Sequence, residues 1–363
     1  MTLTRGARIT GAVLCAVPAL MAIAWLVRDF RVVDGPEMLW DIWAGSANPW
    51  GMPSLATTAT TLILLVVHAA TAVAVLRSAQ ASPALIITGI VTFAVRLPGV
   101  WTIADSPFPE ELRDRALLTT YATLLAGLAM VVVGTAGRRP VADGEERPAG
   151  PGRGAGVAAF LLLGFQAVAF TGWEIRQTFV LPDGLYPAWF MGGRPMVIPL
   201  TEAPPGWMNV LLIPTFLVAA VGAVAGAAYA RPLGLIAGGF LFSSGVLGVG
   251  RGIRFELYER FTSQDIETQL NMLSFVASLI AGVAVLVLLA RKGVQRIPVG
   301  GAPGPWGGGG PWGAQPSGYP PPQAAPGQQP PTPGFGPPQG GGFGPPPASP
   351  PPWGGPKPGV GGC

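Results

Sequence analysis

LNMLSFVASLIAGVAVLVLLA, residues 270–290, runs for 21 positions without a charged side chain. As a helix at about 1.5 Å per residue it reaches about 30 Å, the thickness of bilayer hydrocarbon. Seven further apolar runs lie at residues 8–27, 56–76, 83–104, 116–136, 155–172, 207–230 and 233–250. They are continuous rather than alternating, which argues against the strands of a membrane barrel. Helices are the form in which a lone segment satisfies its own backbone in lipid. The reading is therefore an all-α polytopic membrane protein with about eight transmembrane helices.

Composition agrees. Half the residues are hydrophobic and 11% are charged, against about 25% in soluble domains. Arg outnumbers Lys twenty to two, and Ala, Gly and Pro abound, the bias of a GC-rich and hence bacterial genome. Cys15 and Cys363 are too few for a disulfide framework or a metal site. Cys15 reads as a small hydrophobe in a helix, and Cys363 matches no prenylation box.

Basic residues set the orientation. With the N-terminus inside, the inner segments hold twelve Arg and Lys against three acids, about +9. The outer segments hold ten Arg against fifteen acids, about −5. Both termini are expected in the cytoplasm, with the chain in the plasma membrane. The first run has the basic start and apolar centre of a signal peptide. Its counterpart in the second half lies mid-chain, so it is read as a retained span.

That counterpart belongs to an internal repeat. Trp25-Leu26-Val27-Arg28 closes the first span and Trp173-Glu174-Ile175-Arg176 the fifth. Asp34-Gly35 precedes Trp40 as Asp183-Gly184 precedes Trp189. Arg96 pairs in order with Arg251, and Leu125-Ala126-Gly127-Leu128-Ala129 with Ile280-Ala281-Gly282-Val283-Ala284. Four spans per repeat make it parallel, with a pseudo-two-fold axis along the membrane normal. The expected organisation is a first repeat at 1–136, a cytoplasmic linker at 137–154, a second repeat at 155–292 and a tail at 293–363. Gly222-x-x-x-Gly226 and Gly234-x-x-x-Gly238 offer close helix crossings, and Pro18, Pro98 and Pro214 offer kinks.

Candidate chemistry is sparse. No Asp, Glu or Lys lies in the central part of a span, and His68 is the only histidine. One His supplies no bis-His haem, metal cage or relay of several histidines; it is either a single ligand contact or a helix-to-helix bond. Arg96, about 13 residues into the third run, needs a partner or a route to water. Arg96 and Arg251 either tie helix ends to the acidic outer loops or flank a vestibule for an anion. Arg28 and Arg176, with Trp40 and Trp189, mark the long outer loops, as interfacial anchors or as a recognition surface. Residues 37–43 form a short amphipathic segment.

No nucleophile elbow, Walker loop, zinc-protease motif or dinucleotide fingerprint occurs, and no cofactor is implied. The Gly/Pro-rich tail cannot build a core and is expected to be disordered. Its repeated Pro-Trp-Gly and Gly-Phe-Gly-Pro-Pro either hold protein partners weakly or only solubilise. Its low charge excludes nucleic acid as a partner; the lipid bilayer is the certain one. Three roles stand in order: a non-catalytic protein that senses, anchors or assembles, a transporter or channel for a small neutral or lipid-like solute, and a membrane enzyme at the outer face. The orientation is checked with Ser46→Cys or Ser263→Cys in a background lacking Cys15 and Cys363. An impermeant maleimide should label both in intact cells; labelling only after permeabilisation reverses the topology.

Overall fold

The structure is a computed structural model that describes residues 2–33, 35–45, 55–141, 148–193, 196 and 198–291. Asp34, Trp50, the middle of the linker, Cys363 and the whole tail lie outside the described residues. Eight helices among the described residues are long and apolar enough to cross a membrane. They are α1 (Arg5–Val32), α3 (Ala59–Arg77), α4 (Ala81–Arg96) with α5 (Gly99–Thr102), α6 (Glu110–Ala136), α7 (Arg153–Val180), α9 (Pro205–Ala225), α10 (Ala230–Arg254) and α11 (Ile266–Ala290). Two short helices, α2 (Pro36–Trp43) and α8 (Leu185–Met191), follow the first and fifth spans. The expected amphipathic segment at 37–43 is α2, with Leu39 buried.

Trp25 and Trp173 do not close their helices. Both α1 and α7 continue past them through polar residues to Val32 and Val180. Hydropathy ends a span where charge begins, but helical backbone needs no lipid. The extensions are tied by polar bonds instead, Asp29 accepting from the Ala56 and Thr57 amides at 3.0 and 2.7 Å and Arg176 pairing with Glu267.

One face of the bundle carries the N-terminus and the 137–154 linker. Thr2–Leu3 pairs antiparallel with Arg138–Arg139 there. A helix leaves its last carbonyls without partners, and arginines from neighbouring spans supply donors. Arg8 donates to the carbonyls of Val75, Leu76 and Ser78 at 3.2–3.3 Å. Arg231 donates to Leu289 and Arg291 at 3.2 and 2.5 Å. The opposite face carries the long connections from α1 to α3 and from α7 to α9.

Within residues 2–141, α1 packs on α3, α4 on α6, and the set closes through α1–α6 and α3–α4. Within residues 148–291, α7 packs on α9, α10 on α11, and closure runs through α7–α11 and α9–α10. The halves meet where α10 lies against α3 and α4, and α4 against α9. There Leu64, Val91 and Val95 join Phe216, Ala220, Ile236 and Phe240 in one buried cluster.

Glycine sets the closest crossings. A side-chain carbon on Gly127 would stand 2.9 Å from the Gly89 carbonyl and 3.2 Å from the Phe93 nitrogen. One on Gly282 would stand 3.0 Å from the Gly238 carbonyl and 2.4 Å from the Phe242 nitrogen. Gly234 and Gly238 thus serve the α10–α11 crossing. Gly222 and Gly226 do not form the crossing expected of their spacing: Gly222 faces Tyr229, and Gly226 ends α9 at φ +68°. Overpacked sites cost about 1–3 kcal/mol, so Gly89→Leu should lower unfolding free energy by about that much in steric-trap measurements. Gly164→Ala, with open space around it, should be nearly silent; equal effects would refute the tight crossing.

Candidate functional site

The long-loop face holds two polar constellations. The first joins the halves. Pro98 lacks an N–H, so the Ala94 carbonyl loses its donor four residues on. Trp207, at the start of α9, supplies one: its Nε1–H donates to Ala94 at 2.9 Å. Two residues after Ala94, Arg96 donates to the Thr201 carbonyl. The Thr201 amide and hydroxyl both donate to the Ala56 carbonyl, at 2.9 and 2.6 Å. Glu202 accepts from the hydroxyls of Thr58 and Thr60, the latter at 3.0 Å. Burial pushes the Glu202 carboxyl above the usual carboxylate range, against the pull of those hydroxyls and of the Arg96 charge.

Beside this clamp, Asp29 is fully buried. It accepts from the Ala56 amide at 3.0 Å and from the Thr57 amide and hydroxyl at 2.7 and 2.6 Å. Together these bonds fix the strand-like residues 55–58 between the halves. The space left among Val95, Arg96, Gly99, Thr120 and Leu200 is too narrow for a water molecule. The clamp is a closed joint.

The second constellation lies wholly in the second half, between α7, α9, α10 and α11. It surrounds a pocket of about 430 Å³. Aromatic walls come from Phe170, Trp173, Trp189 and Phe275, and uncharged polar groups from Asn209, Ser244, Asn271, Ser274 and Ser278. Arg176 and Glu267 pair at its rim, with the guanidinium 5.6 Å from the Trp173 ring centre. Glu174 accepts from Trp189 Nε1 at 3.0 Å and from Asn209 Nδ2 at 2.6 Å. Ser278 donates to Gln166 Oε1 at 3.3 Å, while Gln166 Nε2 is buried with no hydrogen-bond partner among the described residues.

The expected site residues distribute unevenly over these features. Arg96 belongs to the clamp, and Arg28 holds Asp29 beside it. Arg176 and Trp189 belong to the pocket. Trp40 packs against Gly250, outside both. Arg251 is exposed next to Gly45, and its guanidinium makes no hydrogen bond or ion pair among the described residues. Arg96 and Arg251 thus sit in different surroundings.

His68 is buried. Its Nδ1 donates to the Leu64 carbonyl at 2.6 Å, and its Nε2 lies 2.9 Å from the Thr92 hydroxyl, which also reaches the Thr88 carbonyl at 2.7 Å. Both nitrogens are committed to helix contacts. Asp29, Glu202, Gln166 and Asn271 carry the site yet are absent from the sequence-derived set. The signal for the last two was a polar amide within an otherwise apolar run.

No family model, curated protein or solved structure matches the chain.

The clamp gives Arg96 and Arg251 different consequences. A hydrogen bond to a charged group is worth about 1.5–3 kcal/mol, so Arg96→Leu should lower unfolding free energy by that amount in bicelles. Arg251→Leu should stay within about 0.5 kcal/mol. Equal losses would refute the assignment of Arg96 to the joint.

Proposed function

We propose that this chain is a non-catalytic membrane protein, built by duplication of a four-span unit, that senses, anchors or assembles partners at its long-loop face. The observation carrying this is the joint between the halves: one apolar cluster through the membrane, closed at the long-loop end by the clamp. A transporter that worked between repeats would need a polar path along that joint. The groove of about 390 Å³ between α3, α4, α10 and α11 is walled mainly by apolar residues such as Val67, Ala84 and Leu235; of its polar members Thr71 and Thr88 bond each other at 2.7 Å, and Ser78, Gln80 and Arg231 lie at the linker end. We further propose that the long-loop face is extracellular, that both termini are cytoplasmic, and that the tail binds protein partners.

The duplication draws support from packing as well as from residue order. Both halves use the same four helix pairings. Trp25 Nε1 donates to Thr119 at 3.2 Å, and Trp173 Nε1 donates to Ser274 at 3.1 Å, matched positions in matched spans. The short helices are exchanged: α2 lays Trp40 on Gly250 of the second half, and the Met191 carbonyl of α8 accepts from Trp101 of the first. Trp101 and Gly250 share the offset of 149. Such reciprocity is what a two-fold relation produces.

The three glutamates beside the two constellations serve structural bonds, which counts against a role as catalytic acid or base there. Glu174 is held by Trp189 and Asn209, Glu267 by Arg176, and Glu202 by two threonines. A second reading, transport of a small neutral or lipid-like solute, is favoured by one observation, the polar pocket of the second half. Proteoliposomes separate the two. Stopped-flow and tracer assays with glycerol and glucose should give the permeability of protein-free vesicles. A saturable, protein-dependent flux would overturn the non-transport reading.

A further inference from the structure

The two halves treat one position in opposite ways. In the first half the region bounded by Trp25 and Ala116 is filled: Ile103 and Leu200 pack between them as a buried cluster. The second half has Asn271 where the first has Ala116, Gln166 where it has Pro18, and Ser244 where it has Val95. These are the offsets of 155, 148 and 149 that relate the respective spans. The result is the open pocket of about 430 Å³, within the range of small-ligand sites, about 300–1,000 Å³.

We infer that this pocket binds the neutral sugar headgroup of a glycolipid, with the acyl chain lying in the adjoining groove between α7 and α11. The inference deepens the outer-face reading and rests on it for the role, not for the binding itself.

The chemistry of the lining selects the headgroup. Asn271 and Ser244 line the pocket without a hydrogen-bond partner among the described residues. Gln166, 1% exposed and outside the pocket lining, accepts from the lining residue Ser278 and so orients its hydroxyl from behind. Sugar hydroxyl groups match the amide and serines that line the pocket. The aromatic walls suit the C–H face of a sugar ring, the pattern of apolar walls with a few directed polar groups. Charge excludes the common alternative. Arg176 is neutralised by Glu267, and Glu174 has no basic partner among the described residues, so an anionic headgroup meets net repulsion.

The surroundings select a lipid. A groove of about 530 Å³ adjoins the pocket across a shared seam of Trp173, Arg176, Glu267 and Ser274. Its remaining walls are Ala169, Gly172, Ile266 and Leu270, apolar or small. Ile266 and Leu270 are 75% and 53% exposed, and a side-chain carbon on Gly172 would meet nothing within 4 Å. A lipid seated in both would lay its chain on this exposed apolar strip along α7 and α11 and its polar linkage over the seam, where Trp173 donates to Ser274 and Arg176 pairs with Glu267.

The test uses the full-length protein in phosphatidylcholine nanodiscs, with lipid retention read by native mass spectrometry and by thermal shift. The probes are monoglucosyl diacylglycerol, phosphatidylglycerol and free methyl glucoside. The expected result is retention of the glycolipid at least about tenfold above phosphatidylglycerol. Gln166→Leu and Asn271→Leu should each lower retention about tenfold, the equivalent of about 1.4 kcal/mol. Ala116→Ser, in the filled half, should leave it unchanged. Because Gln166→Leu risks misfolding, each variant must keep the lipid-free melting temperature, and Asn271→Ala supplies a milder second variant with the same expected direction. Equal retention of the two lipids, or retention indifferent to Gln166 and Asn271 variants that stay folded, overturns the site. Methyl glucoside binding as tightly as the glycolipid overturns the lipid assignment in favour of a soluble sugar. Flux of glucose in proteoliposomes would remove the non-transport reading while leaving the binding site intact, so the two failures are distinguishable.

Discussion

Two backbone carbonyls, those of Ala94 and Thr201, hold the halves together. Each takes its donor from the other half, Trp207 for Ala94 and Arg96 for Thr201. The need arises from the solvent. Near hydrocarbon, a carbonyl without a donor finds no water to replace it. Pro98 creates such a carbonyl, and the loop before α9 exposes another. The structure answers both with side chains whose own burial would otherwise be unfavourable, an indole N–H and a guanidinium. The joint is therefore reciprocal: neither half satisfies this end of its backbone alone.

The same constraint explains why Asp29 tolerates full burial. A carboxylate removed from water needs several donors, and residues 56 and 57 present two amides and a hydroxyl, with Arg28 at 2.7 Å adding charge. Thr58 then does double duty. Its hydroxyl accepts from the Thr60 amide at 3.2 Å, capping α3, and donates to Glu202. Helix initiation in one half is thereby tied to a loop of the other.

The spans were legible in the sequence because hydropathy adds along the chain and needs no knowledge of neighbours. Their ends were less so. Residues 173–180 carry Glu174, Arg176 and Gln177, which end an apolar run, yet the helix continues because Glu267 lies across from Arg176. On the proposed duplication, order alone sets Arg96 against Arg251, 155 residues apart, whereas the crossings at Gly127 and Gly282 imply an offset of 149 for the third and seventh spans. Order ignores helical facing, which is set by which glycine meets which carbonyl. Glu202 and Asp29 escaped notice because their partners are backbone amides and threonines, residue types with no distinctive spacing. Gln166 and Asn271 were readable in principle, as amides in apolar runs, but a search for charge passes over them.

On the proposed duplication, the halves divide labour in a way their energetics require. Filling a site with Ile103 and Leu200 against Ala116 gains packing and forfeits a cavity. Keeping Asn271 and Ser244 around open space, with Gln166 behind Ser278, forgoes that packing and leaves polar groups to be matched from outside. A membrane bundle has little hydrophobic drive between its helices, so it cannot carry this deficit twice without loss of order. The surplus comes from the filled site and the clamp, to which both halves contribute, and the second half carries the pocket. Their asymmetry at one pseudo-symmetric position follows from that balance: a four-span unit rigid enough to hold its partner leaves the partner free to remain open.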